Sequence, residues 1–155
     1  MSQKDFLKKY FQNLRSLITF NEDVIKKIIN VSKIITEVDK DGKKTLIFGN
    51  GGSSAIASHF SVDLTKNARV RCVNFNEPDL ITCFSNDFGY EKWVEKSIEY
   101  YGDEGDAVIF ISAGGNSPNM INGVKKAKEK NFSKIITLTG NDQNNKLGKL
   151  GDINF

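Results

Sequence analysis

The sequence predicts an α/β domain in which a parallel β-sheet is covered by helices on both faces. Three observations lead to this prediction. Short apolar runs, typical of buried parallel strands, recur along the chain from residue 45 onwards. Segments with helical periodicity separate these runs, and such alternation is typical of parallel sheets. The chain has 155 residues, of which 39% are hydrophobic and 26% are charged, which suits one globular domain with its own core.

Two amphipathic helices are predicted over residues 2–40. The sequence "TFNED" separates them, with Asn21 as the predicted N-cap of the second helix. Apolar residues recur at helical spacing at Phe6, Tyr10, Leu14 and Leu17, and again at Val24, Ile28, Val31 and Ile35. Because the following domain has its own core, we expect these apolar stripes to pack against another subunit. Residues 1–40 are therefore interpreted as an oligomerisation segment and residues 41–155 as the main domain.

Five strands and their connecting helices are predicted after residue 44. The strands are "TLIF", "VRCVNF", "DAVIFIS", "KIITLTG" and the beginning of a strand at "DINF". Helices are predicted over about 54–66 and at "DLITCF", "EKWVEKSIEYY" and "SPNMINGVKKAKEK", with a loop at "SNDFGY" and a helical turn at 146–149. A doubly wound sheet ordinarily covers its last strand with a helix. We therefore expect the sequence to be truncated at Phe155, before a C-terminal helix.

Composition and charge argue against several classes of protein. The net charge is +3, and the lysines are too evenly spread to predict a nucleic-acid-binding surface. No apolar run in the sequence is long enough to span a bilayer, and the N-terminus is too charged for a signal peptide. Cys72 and Cys83 lack the spacing of a metal site. We expect both to be buried, unreactive thiols in a reducing cytoplasm.

Two Gly/Ser-rich turns follow predicted strands and precede predicted helices. The first is "GNGGSS", with Ser53 and Ser54, and the second is "SAGGNSP", with Ser112, Asn116 and Ser117. The carboxyl ends of parallel strands meet at one edge of the sheet, where α/β proteins bind ligands. Glycines let the backbone approach a ligand, and helix N-termini carry partial positive charge. The turns therefore predict a phosphate site built from hydroxyls and backbone amides.

Ordinary turn geometry is the alternative for each of these stretches. A tight strand-to-helix connection also needs glycine, and "GNGGSS" is neither a dinucleotide fingerprint nor a Walker loop. Ser117 alone would cap the following helix, with Pro118 in its first turn. A third strand end, "TLTGND", adds Thr137 and Thr139. Three strand ends with small hydroxyl residues and few charges together favour the phosphate site.

The only histidine of the chain lies in the helix predicted after the first turn. His59 and Asp63 are four residues apart, which places them on one helix face with Cβ atoms about 6 Å apart. The position of the pair behind the glycine turn favours a functional role. The alternative is that Asp63 only orients a structural histidine.

Four motifs, in this order, resemble the sugar isomerase (SIS) domain and, more narrowly, the phosphoheptose isomerases. They are "FGNGGSSAIASHFSVDL", "SNDFGY", "ISAGGNSPNMI" and "ITLTGND", and the resemblance extends over the whole chain. It implies a flavodoxin-like sheet, a cytoplasmic homotetramer, and isomerisation of sedoheptulose 7-phosphate to D-glycero-D-manno-heptose 7-phosphate for bacterial lipopolysaccharide or capsule. The alternatives are an SIS protein that binds phosphosugars as a regulator, and an SIS factor that binds the bacterial replication initiator.

The resemblance also implies roles for individual residues. Phosphate would be bound by the hydroxyls of Ser53, Ser112 and Ser117. The other implied substrate-binding positions are Asn50, Gly51, Gly52, Asn86, Asp87, Gly114 and Asn116. Ala113 and Gly114 stand where the family has a threonine and a serine. Two hydroxyls are thereby lost, so backbone amides would have to bind phosphate at these positions.

A zinc ion, one per subunit, is implied at His59 and Asp63. In the resembled enzymes the carboxylate is a glutamate that binds zinc and acts as the base, and Asp63 is one methylene shorter. The family completes its zinc site with a glutamine and a histidine on a C-terminal helix, beyond Phe155, and a catalytic zinc site usually has three protein ligands. We expect Asp63 to be the base of an aldose–ketose isomerisation and His59 a ligand or proton partner. We also expect residues 1–155 alone to show little turnover.

Overall fold

Five strands form one parallel sheet in the computed structural model, which describes residues 1–18, 21–140 and 144–155. The strands are β1 (Thr45–Gly49), β2 (Cys72–Asn74), β3 (Ala107–Ser112), β4 (Lys134–Thr139) and β5 (Ile153–Asn154). Their spatial order is β2-β1-β3-β4-β5, and all four neighbouring pairs are parallel. This is the strand order of flavodoxin-like folds, so the predicted fold class is confirmed.

Helices connect the strands and precede the sheet. The helices are α1 (Gln3–Leu17), α2 (Glu22–Lys40), α3 (Gly52–Lys66), α4 (Pro78–Phe88), α5 (Trp93–Tyr101) and α6 (Pro118–Glu129), with short 3₁₀ turns at Tyr90–Lys92 and Leu147–Lys149. The predicted order of elements is confirmed, although α3 begins two residues earlier than predicted and β2 is shorter than "VRCVNF". Within the described ranges, no helix has the length and apolar character needed to cross a membrane.

Side chains of the central strands alternate between two hydrophobic cores, one on each face of the sheet. Leu46 and Phe48 of β1 belong to the core beneath α5 and α6, where the Trp93 ring meets the Phe48 ring edge-on at 5.9 Å between centroids. Ile47 belongs to the opposite core, together with Ile35 of α2. Because helices cover both faces, every residue of β1 is buried, as expected for a parallel strand.

The two N-terminal helices differ in how much apolar surface they bury. Asn21 caps α2 as predicted, since its side chain accepts hydrogen bonds from the N–H groups of Asp23 and Val24. α2 buries Ile35 and Val38, whereas no residue of α1 is buried. The large exposed apolar side chains of α1 are Phe6, Leu7, Tyr10, Phe11, Leu14 and Leu17. The packing of this stripe against another subunit stays a prediction.

The loop predicted at "SNDFGY" is wrong for its first four residues. α4 continues through Ser85, Asn86 and Asp87 to Phe88, and Gly89, with a φ of 91°, follows its end. The Gly89 N–H still donates to the Ser85 carbonyl at 3.0 Å. Asparagine and aspartate have only a modest cost in a last helical turn when their side chains reach solvent, as Asn86 and Asp87 do here.

The prediction that both cysteines are buried is wrong for one of them. Cys72 is buried in β2, and this burial raises the pKa of its thiol to about 12. Cys83 is exposed on α4, with its Sγ 3.7 Å from a carboxylate oxygen of Asp87. α4 lies at the surface and buries none of its residues fully. Cys83 is therefore exposed, although it lies among apolar residues in "DLITCF".

Candidate functional site

The two Gly/Ser-rich turns lie side by side at the carboxyl edge of the sheet. The first follows β1 and the second follows β3, and these two strands are hydrogen-bonded neighbours in parallel register. Gly49, the last residue of β1, pairs with Ile111, the penultimate residue of β3. The adjacency predicted from the sequence is therefore present in the fold.

The first turn leads into the N-terminus of α3 without a side-chain cap. Gly51 occupies the N-cap with a φ of 54°, a conformation that favours glycine, and Gly52 begins the helix. The N–H of Ser53 donates to the Asn50 carbonyl at 3.0 Å. Gly49 is required for a different reason, because a Cβ there would lie 2.3 Å from the carbonyl oxygen of Ser53. The start of α3 can approach β1 this closely only because position 49 has no side chain.

In the second turn, two serine hydroxyls lie near each other and are not used for helix capping. Ser117 stands at the N-cap of α6, as predicted, but its side chain makes no capping hydrogen bond. Its Oγ instead lies 3.5 Å from the Oγ of Ser112, at the end of β3. Ordinary capping is therefore not the role of this hydroxyl. Between the two serines, Gly114 is exposed, and the Asn116 side chain donates to its carbonyl at 2.9 Å.

Asn145 supports the second turn and was missed by the sequence analysis. Its side chain is buried, its Nδ2 donates to Thr139 Oγ1 at 3.0 Å, and its Oδ1 accepts the Gly148 N–H at 2.7 Å. Gly115 has a φ of 59°, and a Cβ at that position would lie 2.1 Å from Asn145 Oδ1. The conformation of the turn thus depends on the segment after β4. No spacing or composition signal separates Asn145 from a solvated asparagine.

The third strand end does not add free hydroxyls to this edge, contrary to the prediction. Thr137 Oγ1 donates to the Asn154 side chain at 2.6 Å, and Thr139 Oγ1 donates to the Phe155 carbonyl at 3.1 Å. Both hydroxyls therefore join β4 to the last residues of the chain. Residues 141–142, the asparagine and aspartate of "TLTGND", lie outside the described residues.

A reciprocal pair of amides joins the first turn to α6. Asn50 Nδ2 donates to Asn119 Oδ1 at 3.0 Å, and Asn119 Nδ2 donates back to Asn50 Oδ1 at 2.9 Å. The Tyr90 hydroxyl donates to the same Asn50 oxygen at 3.1 Å. Asn50 was predicted from the sequence as a site residue, whereas Asn119 and Tyr90 were not. Asn119 lies inside "ISAGGNSPNMI" and Tyr90 ends "SNDFGY", but nothing in either motif indicates a contact with Asn50.

The side chains of Asn86 and Asp87 do not join this network. Both are exposed in the last turn of α4, where Asn86 Nδ2 donates to Asp87 Oδ1 at 2.9 Å. Among the hydrogen bonds of the described residues, none connects either side chain to the two turns. The segment that contains them reaches the first turn through Tyr90, three residues beyond Asp87.

His59 and Asp63 contact each other on the outward face of α3. Their Nε2 and Oδ2 atoms are 3.5 Å apart, and the side chains are 80% and 48% exposed. The other Asp63 oxygen, Oδ1, accepts a hydrogen bond from Asn67 at 3.0 Å. The pair lines a shallow cavity of about 400 Å³ together with Ala55, Ile56 and Phe60. Both groups are thus open to a ligand and are not aimed into the core.

The described residues fit part of a zinc site but do not complete one. The 3.5 Å between His59 Nε2 and Asp63 Oδ2 is close to the spacing of adjacent ligand atoms around a tetrahedral zinc with bonds of about 2.1 Å. Across residues 1–18, 21–140 and 144–155, no group of three or more His, Cys, Asp or Glu side chains could hold a metal ion. A catalytic zinc usually has three protein ligands, so His59 and Asp63 would need at least one more.

Comparison with known proteins gives one consistent result. Residues 9–140 match the family model of the SIS domain. A phosphoheptose isomerase of Fusobacterium nucleatum is 37% identical over 153 residues, which cover 96% of this chain and 77% of the relative. A phosphoheptose isomerase of Glaesserella parasuis is 39% identical over 134 residues, which cover 83% of this chain and 69% of the relative.

Solved structures agree with the sequence relatives. The phosphoheptose isomerase GmhA from Neisseria gonorrhoeae matches with a TM-score of 0.85 and 27% identity, over 98% of this chain and 83% of that one. A phosphoheptose isomerase from Francisella tularensis matches with a TM-score of 0.87 and 25% identity, over 98% of this chain and 82% of that one. The chain therefore belongs to the SIS-domain family and, within it, to the phosphoheptose isomerases.

Proposed function

We propose that this protein is a phosphoheptose isomerase that converts sedoheptulose 7-phosphate to D-glycero-D-manno-heptose 7-phosphate. The main observation behind the proposal is that two Gly/Ser turns lie together at one edge of the sheet. The first turn leads into α3, the helix that contains His59 and Asp63. Such an enzyme needs an anion site for the phosphate and a carboxylate beside the carbons that exchange a proton. The similarity to phosphoheptose isomerases over 96% of the chain supports this reaction.

The two turns bind the phosphate. The hydroxyls of Ser112 and Ser117 are 3.5 Å apart, so both can donate to oxygens of one phosphate group, and Ser53 donates from the other turn. The N-termini of α3 and α6 carry no side-chain cap, and their partial positive charge favours an anion. The remaining proposed contacts come from Gly51, Gly52, Gly114 and Asn116.

The sugar chain extends from the phosphate towards α3 and α4. Asn50 contacts it from the first turn, and Asn86 and Asp87 contact its hydroxyls from the exposed end of α4. These side chains offer donors and acceptors without a net positive charge, which suits a polyol. Holding the sugar at both ends fixes which carbons lie beside the catalytic pair.

Asp63 is the proposed base. Its carboxylate takes a proton from the carbon next to the carbonyl, which gives an enediol, and returns the proton to the neighbouring carbon, where the former carbonyl becomes a hydroxyl. His59, 3.5 Å away, is the proton partner on the oxygens or a metal ligand. Asn67 holds the second carboxylate oxygen at 3.0 Å, which limits rotation of the base.

Zinc is proposed as the cofactor, with His59 and Asp63 as two of its ligands. When bound, zinc supplies a positive charge that stabilises an oxyanion. The measurement that tests this proposal is the metal content of the purified protein, which we expect to be one zinc per subunit. A protein that binds no zinc, with its fold intact, would contradict the assignment.

The remaining proposals concern the cellular setting. We place the reaction in the cytoplasm, in the synthesis of heptose for lipopolysaccharide or capsule, and we propose a homotetramer as the active assembly. The exposed apolar stripe of α1 supports self-association. Neither a nucleic acid nor a membrane is proposed as a partner, because the charge is modest and evenly distributed.

A non-catalytic regulator that binds a phosphosugar is the second candidate. Two observations favour it: the His59 side chain is mostly exposed and that of Asp63 about half exposed, and Ala113 and Gly114 supply no hydroxyls to the second turn. A regulator would keep the phosphate site of Ser112 and Ser117 without needing the base. Binding without turnover is therefore the result that separates the two candidates.

The test is an isomerase assay on protein expressed from its own gene, with sedoheptulose 7-phosphate as substrate and binding measured in parallel by calorimetry. We expect turnover by the wild type, and a loss of about a thousandfold or more for Asp63→Asn with little change in affinity. Asp79→Asn, which removes an exposed carboxylate from the first turn of α4, is the matched control. Sugar binding without turnover by the wild type would favour the regulator.

A further inference from the structure

The amide pair of Asn50 and Asn119 has a consequence for substrate recognition. Asn119 is 2% exposed, and its oxygen and nitrogen both bond to the Asn50 side chain. If the Asn50 amide alone were rotated, its oxygen would face the Asn119 oxygen and its nitrogen the Asn119 nitrogen, so the two amides can turn only together. Asn119 therefore controls how the Asn50 amide is turned.

The hydrogen bonds to Asn50 Oδ1 determine which atom of this amide remains free to bind a ligand. Asn50 Oδ1 accepts two hydrogen bonds, from Asn119 at 2.9 Å and from the Tyr90 hydroxyl at 3.1 Å. A carbonyl oxygen has two lone pairs, so this oxygen has no further capacity. Among the described residues, Asn50 Nδ2 has one acceptor, Asn119 Oδ1. One of its two N–H groups is left to bond to a ligand.

We propose that Asn119 is a positioning residue which, with Tyr90, makes Asn50 a hydrogen-bond donor and prevents it from acting as an acceptor. Asn50 then bonds to an acceptor on the substrate, namely a phosphate oxygen or the oxygen that gains negative charge as the enediol forms. A donor fixed in advance towards such an oxygen stabilises it more than one that must first reorient. This inference rests on the proposed isomerase function and adds a specificity determinant to it.

The connection also couples three segments of the chain. Asn50 follows β1, Asn119 lies in the first turn of α6, and Tyr90 follows α4. The same amide thus fixes the first turn relative to the helix whose N-cap is Ser117. A phosphate held between the two turns meets a donor set of defined geometry.

The substitution Asn119→Asp tests this inference, because it preserves shape and removes the donor. An ionised carboxylate cannot donate to Asn50 Oδ1. Residue 119 then no longer holds the Asn50 oxygen in place, and the free N–H of Asn50 is no longer fixed towards the ligand. Burial raises the pKa of the introduced carboxyl above that of a solvated aspartate. The protonated acid would have an O–H that donates to Asn50 Oδ1 and a carbonyl that accepts from Asn50 Nδ2, which restores the reciprocal pair.

The experiment measures kcat/KM and affinity for sedoheptulose 7-phosphate between pH 5.5 and 8.5. We expect Asn119→Asp to lose about 30-fold or more in kcat/KM at pH 8 and to regain much of this relative to wild type as the pH falls. Asn131→Asp adds the same charge at an exposed residue just after α6, and we expect it to match wild type within about twofold at every pH. Tyr90→Phe removes only a hydroxyl from a half-exposed side chain, and we expect a loss of about threefold to tenfold without pH rescue.

The outcomes separate this inference from the function on which it rests. Wild-type kcat/KM and affinity for Asn119→Asp across the range would overturn the inference. A loss that is equal at every pH, together with unchanged kcat/KM and affinity for Tyr90→Phe, would also overturn it. If Asn119→Asp does not fold, unchanged kcat/KM and affinity for Tyr90→Phe would overturn it. If the wild type binds the sugar without isomerising it, the proposed function fails, and the pH dependence of the Asn119→Asp affinity still decides the inference.

Discussion

At the scale of single residues, the hydroxyl of Ser117 gives the most direct test of the phosphate site. Its Oγ lies 3.5 Å from Ser112 Oγ and does not cap α6. Ser117→Ala should therefore leave the helix intact and remove one donor to phosphate. We expect affinity for sedoheptulose 7-phosphate to fall about tenfold, as for a hydrogen bond to a charged group, with no change for unphosphorylated sedoheptulose.

The control for Ser117 lies at the opposite edge of the sheet. Ser133 Oγ donates to the Asp106 carbonyl at 3.1 Å, near the amino ends of β3 and β4. Ser133→Ala removes the same atom from the same residue type, and we expect less than a twofold change in affinity. If Ser117→Ala lost affinity equally for the phosphorylated and the unphosphorylated sugar, the hydroxyl would not be a phosphate contact.

Gly115 is the residue whose backbone the second turn depends on most. Its φ is 59°, and a Cβ would lie 2.1 Å from the buried Asn145 side chain, so Gly115→Ala is both strained and overpacked. We expect a loss of about 2–4 kcal/mol in the free energy of unfolding, measured by urea denaturation. Gly114→Ala is the matched control, because a Cβ there meets nothing within 4 Å. Equal stability of the two variants would contradict this account of the turn.

At the scale of elements, an ion cluster ties the amino ends of β1 and β3 together. The Asp106 side chain is fully buried and accepts hydrogen bonds from Lys44 Nζ at 2.7 Å, the Lys44 N–H at 3.0 Å and the Asp103 N–H at 2.9 Å. Lys44 Nζ also lies 2.7 Å from the exposed carboxylate of Asp103. The edge opposite the candidate site is thus held by charge, while the site edge is held by uncharged amides.

This cluster predicts how stability depends on pH. Partial burial acts to lower the pKa of Lys44, but its hydrogen bonds to Asp103 and Asp106 outweigh this and raise the pKa above 10.5. The hydrogen bond from Lys44 lowers the pKa of Asp103 below 3.8. The stabilisation from Lys44 is therefore complete below pH 10.5 and lost as the pH rises through the raised value. The stabilisation from Asp103 is complete above its ordinary pKa and lost as the pH falls through the lowered one.

The substitution Lys44→Met measures this contribution. We expect it to lower the free energy of unfolding by about 2–3 kcal/mol near pH 7, because Asp106 is left buried with only its backbone donors. The difference from wild type should shrink at both extremes of pH. Lys43→Met removes the same charge from the neighbouring residue, which forms no ion pair among the described residues, and should have a much smaller effect. A difference that does not vary with pH would rule out the ion cluster as its source.

The elements were predictable where local pattern decides them, and the site only in part. β1 and β3 are continuous apolar runs, as expected for parallel strands buried on both faces. Asn21 could be predicted as a cap because its partners are only two and three residues away. Asn119 and Asn145 could not be predicted, because their partners are 69 and 6 residues away and depend on strand order or on a folded turn. Thr137 was misjudged for the same reason, since its hydroxyl pairs with a residue of β5.

At the scale of the whole molecule, large apolar side chains are exposed on α1, α2 and α3. α1 buries no residue, and Phe6, Phe11 and Leu17 are between half and four-fifths exposed. Ile56 and Val62 are exposed on α3, on either side of His59 in the sequence. A monomer rarely leaves an apolar helix face such as that of α1 in water. Self-association would cover this face, and an interface that also included α3 would exclude water from the proposed catalytic pair, which is open in the single chain.

The oligomeric state is therefore the property of the whole molecule to test. The double substitution Phe11→Glu and Leu14→Glu places two charges on the apolar stripe of α1, and burying them in an interface would cost several kcal/mol. We expect light scattering after gel filtration to give a tetramer for the wild type and a monomer for this variant. Gln12→Glu with Asn13→Glu adds the same two charges to the adjacent residues of the same helix and should leave the tetramer intact. A wild type that is monomeric at micromolar concentration, or a charged-stripe variant that stays tetrameric, would contradict the assignment of α1 as the contact. Because the stripe does not touch the sheet core, the monomeric variant should keep its fold by circular dichroism, which separates a lost interface from a lost structure.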